Sequence, residues 1–345
     1  MNSRHVLYTF VGIASLTSAA ALAQENETVA VKAAVNKSLA LLQASNRASI
    51  EKSGCVTCHH EQLPALTFAL ARRRGFGVDE ALTRARVQAT LARWAPQREH
   101  LFQASTGAVN GQVMSTGYAL LGLGADEVPA NATTDAMVHY IAARQMNDGR
   151  FRAPTGGGGG RPPLEYSDVT ATALSVRVLQ LYAQPGLKDE VARIILRAGD
   201  WLSSIVPQAT EESSFQLQGL AWAGAEERNI AARVSALLAE QRADGGWAQL
   251  PTLSSDAYAT GQALVALHQA GKLSTTSAVY RKGLAFLLKT QFDDGSWRVT
   301  SRGRGTTRYY QSGFPHGADQ FISAAGTAWA TNALLLSLDE VPRPR

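Results

Sequence analysis

Two cysteines and a histidine stand in the order Cys55-Val-Thr-Cys58-His59, the C-x-x-C-H spacing of a haem c attachment sequence. The spacing serves the chemistry: two thiols add across the two vinyl groups of the porphyrin, and the imidazole that follows is held beneath the iron. The same residues allow other outcomes. Cys55 and Cys58 with His60 or His316 could hold Zn or Cu, or the two thiols could form a local disulfide or redox pair. These are the only cysteines in the chain, and three residues apart they cannot staple distant parts of a fold.

An iron held by His59 needs a sixth ligand from elsewhere. Met114 is one candidate, set against the ordinary use of methionine as core filling. His60 points away from its neighbour and could line a haem edge, ligate another metal, or serve as a surface or capping residue. A segment at about 298–320 brings Tyr309, Tyr310, His316, Asp319, Gln320 and several arginines. These could form a distal pocket, a clamp for haem propionates or a second metal site, with Asp319 orienting His316 from behind. His139 and His268 lie within helical runs as bystanders, and His100 has no motif around it.

The elements that must position these residues repeat. Gln145 to Phe151, Gln241 to Trp247 and Gln291 to Trp297 share the form Q-x-x-D-G-x-(W/F). Each follows a run with apolar residues at helical spacing, and Asp-Gly ends the helix because glycine accepts a positive φ cheaply. Each turn leads to a second helix of small residues with a pair such as Ala119-Leu120, Ala173-Leu174, Ala263-Leu264 or Ala333-Leu334 near its middle. Ala69-Leu70 and a degenerate Gly219-Leu220 complete six units. The intervals of 50, 54, 46, 44 and 70 residues predict helix-pair repeats, with an insertion in the last. Six hairpins bury their inner helices together as a solenoid or a ring, and no obvious terminal caps favours the ring. Closure would set the sixth hairpin, with His316, Asp319 and Gln320, beside the first, with His59 and His60.

Lys282, Gly283, Phe286, Leu287, Gln291, Gly295 and Trp297 resemble the QW motif of squalene-hopene cyclases and related prenyltransferase-repeat proteins. The resemblance implies an all-α fold, a single α/α-toroid of six helix-pair repeats over residues 24–345. It makes Gln241, Trp247, Gln291 and Trp297 structural. It also implies a place for a catalytic acid: Tyr166-Ser-Asp-Val-Thr-Ala171 resembles the cyclases' D-x-D-D-T-A, so Asp168 would be the carried-over acid, without its flanking acids. Asp256 recurs at the equivalent repeat position, which gives both residues the alternative role of helix N-cap. The cyclases have two toroids and this chain has residues for one. Aromatic residues make up only 7% of it, few for a cavity that steadies cations by their ring faces. The Gly156 to Gly160 run would form a mobile loop at the ring mouth or a spacer.

With 45% apolar and 18% charged residues and a mean hydropathy of -0.10, the 345-residue chain is neither disordered, collagen-like nor polytopic. Its +5 charge is too mild and dispersed for nucleic acid; the basic side reads as a solvated face, or else as a surface for an anionic ligand or a membrane. Arg4 and His5, the apolar run from Val6 and the ending Ala21-Leu22-Ala23 read as a signal peptide over residues 1–23, hence export to the periplasm, with an uncleaved anchor as the alternative. No later stretch is long enough to span a bilayer. Together these readings predict an exported toroid with one covalent haem c, working as electron carrier or haem-dependent oxidoreductase with a redox partner protein or a small apolar ligand. A Zn or Cu enzyme, a non-catalytic binding toroid and a terpene cyclase using Asp168 are the alternatives.

Overall fold

The structure, a computed structural model, describes residues 7–53, 58–104, 112–153, 167–302 and 311–342. Among these the chain forms helices α1 (Leu7–Ser53), α2 (Leu63–Arg73), α3 (Glu80–Trp94), α4 (Arg98–Phe102), α5 (Gln112–Ala125), α6 (Ala132–Ala142), α7 (Asp168–Tyr182), α8 (Lys188–Ser204), α9 (Thr210–Ala223), α10 (Glu227–Ala239), α11 (Ala257–Gln269), α12 (Ala278–Thr290) and α13 (Gln320–Leu336). Among the described residues, pairing between extended segments is limited to isolated bridges such as Gln145 with Phe151.

Residue size and polarity sort the helices into two shells. On α8 the residues Val191, Ile194, Ala198 and Leu202 recur on one buried face, the pattern of a helix covering a core. On α13 every residue from Gln320 to Leu336 is buried, so this helix is enclosed on all sides. The enclosed helices α2, α5, α7, α9, α11 and α13 pack each against the next, and α13 returns to α2. The ring is closed, and each of the six small-residue pairs lies in one of its inner helices. Small residues are what let these helices approach: a Cβ on Gly261 of α11 would stand 2.5 Å from the Trp329 carbonyl carbon of α13.

The Q-x-x-D-G turns are the fasteners. Gln145, Gln241 and Gln291 each donate from Nε2 to the glycine carbonyl of their own turn and to a carbonyl of the next outer helix: Ile194, Val279 and Ala34, at 2.8, 2.9 and 3.0 Å. Trp247 and Trp297 send their indole N–H back to Leu237 and Leu287. A threonine on the following inner helix (Thr172, Thr260 or Thr327) receives the aromatic residue's backbone N–H. The third copy closes the ring, because Ala34 belongs to α1. Gly295 has φ +88° and a Cβ there would lie 2.5 Å from the Lys37 carbonyl carbon, so the turn requires glycine.

Helix α1 runs unbroken through the proposed cleavage point at Ala23. Beyond that point it meets the ring through the Glu27 to Arg281 ion pair at 3.0 Å and buried Val31. Among the described residues no helix is long and apolar enough to cross a membrane.

Candidate functional site

The C-x-x-C-H segment enters the ring through a π-helical turn, Cys58–Gln62, immediately before α2. Cys55 and the Cys58 thiol lie outside the described residues. His59 and His60 are buried, and both imidazoles pack on Phe321 of α13, with ring centres 5.8 and 5.2 Å away. His60 Nδ1 is 3.2 Å from Ser45 Oγ, and its carbonyl accepts from Asn46 at 2.7 Å. Gln62 turns outward, donating to Thr90 of α3 at 3.2 Å. Met114 is buried core at the start of α5. Among the described residues there is no cluster of three or more metal-ligating side chains.

Ring closure brings the last hairpin beside the first, yet His316 does not converge on His59. It sits in a left-handed turn at φ +77°, which aims its Nε2 at Ser296 Oγ, 2.7 Å away in the third Asp-Gly turn. Phe314 lies 6.4 Å from the rings of both His60 and His316. Burial lowers the imidazole below its usual range while Asp294 opposes the shift. Asp319 does not orient His316. It accepts from the Ser301 N–H at 2.9 Å and pairs with Arg298 at 3.2 Å. Gln320 accepts from the Ser312 N–H at 2.8 Å, so it too holds the insertion in place. Tyr309 and Tyr310, like Gly156 to Gly160, lie outside the described residues.

Asp168 does not cap α7. The cap of α7 is Ser167, whose hydroxyl accepts from the Val169 N–H at 3.1 Å. Asp168 accepts from the Ala153 N–H at 2.8 Å and lies 3.5 Å from Arg150, tying the segment after Phe151 to the helix start. Asp256 does cap its helix, accepting from the Ala259 N–H at 2.9 Å. His139 and His268 meet the backbone carbonyls of Phe102 and Leu273, as bystanders do.

Besides Glu61 in the turn before α2, a buried acid of the ring is Glu211, one residue into α9. It is 3% exposed, with Thr170 Oγ1 donating to one carboxyl oxygen at 3.0 Å and the Tyr258 hydroxyl to the other at 2.9 Å. Thr170 and Tyr258 come from the flanking helices α7 and α11, so the carboxyl is held where three inner helices meet. Among the described residues no cation pairs with it. Burial therefore dominates and pushes its pKa up to about 8, keeping the group neutral at physiological pH. In turn, burial and the neighbouring Glu211 raise Tyr258 well above its usual value.

Glu211 begins a stripe on α9. Phe215, Gln218 and Trp222 follow at intervals of four, three and four residues, the spacing of one helix face. These three residues line a cavity of about 280 Å³ at the end of the ring where the inner helices finish. All six inner helices contribute to its wall, among them Arg177 of α7, Val265 of α11 and Trp329 and Asn332 of α13. Phe215 and Trp329 meet edge to face with centres 6.1 Å apart. Phe215 is one turn from Glu211, roughly 6 Å along the helix. A wall of this kind suits an apolar chain, and a neutral carboxyl close by suits an oxygen atom upon it.

Sequence reasoning missed Glu211 because an acid in a first helical turn normally answers the helix dipole. The available signal was the stripe from Glu211 to Trp222, in the repeat that lacks a good Ala-Leu pair.

Among the described residues, a closed ring of six inner helices with the other helices packed outside it is the α/α-toroid of terpenoid cyclases. No protein-family model matches the chain. Among solved structures it is similar to a variant of the type II terpene cyclase MstE from Scytonema in complex with merosterolic acid A, the product. That match has a TM-score of 0.58 and 15% identity and covers 91% of this chain and 99% of that one. A variant of the same cyclase, bound to its substrate geranylgeranyl dihydroxybenzoate, matches with a TM-score of 0.55 at 16% identity, covering 91% and 99%. A protein from Actinoplanes matches with a TM-score of 0.59 at 17% identity, covering 89% and 99%. At these identities the likeness establishes the fold.

Proposed function

We propose that this chain is a terpene-cyclase-like toroid that lodges an apolar, isoprenoid-like chain within its ring, with Glu211 as a neutral acid acting on an oxygen of that ligand. The observation that carries the reading is the fully enclosed Glu211 carboxyl, bonded to two hydroxyls, one helical turn from an aromatic-walled cavity. A carboxyl with a pKa of about 8 is a poor donor to an alkene, whose protonation calls for a strong acid. It is well matched to general-acid work on an oxygen atom near neutral pH. The Phe215 ring must turn aside for a chain in the cavity to reach it. The test is a titration with geranylgeraniol, read by the fluorescence of Trp222 and Trp329. Saturable quenching is expected; its absence would overturn the reading.

A second reading rests on Cys55, Cys58 and His59, the donor set for covalent haem. His59 stands at the opposite end of the inner helices from the cavity, in the turn that begins α2. Haem bound there would supply one-electron chemistry, for electron carriage to a redox partner or oxidation of the ligand in the ring. Covalent attachment would accompany export, with cleavage before Gln24. Expression in a host with haem c maturation should give a red protein whose colour stays with the denatured chain. A colourless protein would exclude haem, and its Zn and Cu content would then decide the metal alternative.

A further inference from the structure

The cavity at the ring's C-terminal mouth is not uniformly apolar. Arg177 projects into it from α7, and among the described residues its guanidinium has no ion pair and no hydrogen bond. Its one cationic contact is the Trp222 ring, 5.7 Å from centroid to guanidinium carbon. Burial lowers its pKa; Arg73 and Glu127, a second cation and an acid, line the same cavity. Facing it from α13, three places around the six-helix ring, are two more polar groups without partners: the indole N–H of Trp329 and the amide oxygen of Asn332. Their residues are 4% and 6% exposed, and both line the cavity. A half-buried cation without an ion pair and a buried, unmet N–H are features that a ligand would complete.

We propose that this mouth binds the anionic head of a long-chain acid, its carboxylate or phosphate seated on Arg177 and its chain directed toward Phe215 and Glu211. The proposal rests on the reading that the ring lodges an apolar chain, and it adds the head group and the direction of entry. Arg177 suits the task because a guanidinium offers several donors in one plane to an oxyanion. Thr170, the partner of Glu211, lies seven residues earlier on the same helix, roughly 10 Å of helical rise from Arg177. A bound head on Arg177 thus places mid-chain atoms near the acid.

The test titrates the full-length protein with geranylgeraniol, geranylgeranoic acid and geranylgeranyl phosphate, following tryptophan fluorescence. The acid or the phosphate should bind at least about tenfold more tightly than the alcohol, and which of them does so names the head group. Arg177→Gln should erase that preference. Arg177→Lys, which keeps the charge and loses the fork, should restore part of it. Equal binding of alcohol and acids to the unaltered protein, or a preference that survives in Arg177→Gln, would overturn this inference and leave the chain-binding reading standing. If the alcohol fails to bind as well, both fall.

Discussion

The hydroxyl of Tyr258 meets the carboxyl of Glu211 at 2.9 Å across the contact between α9 and α11, in a space closed to solvent. The pair has a consequence for stability. Glu211 has its pKa raised from 4.5 to about 8 on folding, so between those values the folded chain holds a proton that the unfolded chain has released. Its contribution is complete below pH 4.5 and is lost as pH rises through about 8, at roughly 1.4 kcal/mol per pH unit. Thermal unfolding from pH 5 to 9 should show this fall in the unaltered protein and a flatter profile in Glu211→Gln. Parallel profiles would disprove it.

Ring closure by Gln291 should be measurable. Gln291→Ala removes the bond to Ala34 and should lower stability by about 1 kcal/mol in urea unfolding. Gly295→Ala should cost more, about 2–3 kcal/mol, since it adds strain at positive φ and a clash with the Lys37 backbone. Equal and negligible effects would mean the first and last hairpins are not joined through this turn.

Arg86 and Asp126 form a buried ion pair at 2.6 Å, joining α3 to the end of α5 beside the cavity. Burial pushes the acid up and the base down, so desolvation outweighs attraction on both sides. Arg86→Met leaves Asp126 with Arg72 alone, 3.6 Å away, and should cost up to about 3–5 kcal/mol, whereas the double variant Arg86→Met with Asp126→Leu should recover most of it. Denaturant midpoints for the three proteins check this.

Should the chain bind haem, the two histidine regions will behave differently. His316 is engaged with Ser296, so His316→Ala should leave the absorption spectrum and the potential unchanged, while His59→Ala should alter both. A large spectral change in His316→Ala would return that residue to the iron.

The turns were legible in the sequence because their chemistry is local: Gln, Asp-Gly and an aromatic residue within seven positions determine how a helix ends and what it ties. Ring closure was legible for the same reason repeated. The interior was not. Closure brings the last hairpin beside the first, but the left-handed backbone at His316 decides where its ring points, and no spacing reports that. Asp168 and Ser167 are neighbours at one helix start, and which of them caps depends on the Ala153 N–H arriving from another segment. Glu211 and Arg177 look like ordinary helix-surface charges until the ring closes around them.

The central claim is that Glu211 is protonated within the ring and touches the lodged chain. Infrared difference spectroscopy at neutral pH, comparing the protein with and without geranylgeraniol, tests both parts at once. The expected result is a protonated carboxyl band that shifts on binding and is missing in Glu211→Gln. A Glu211 found ionised at neutral pH, or a protonated band that saturating ligand leaves unmoved, would contradict the claim.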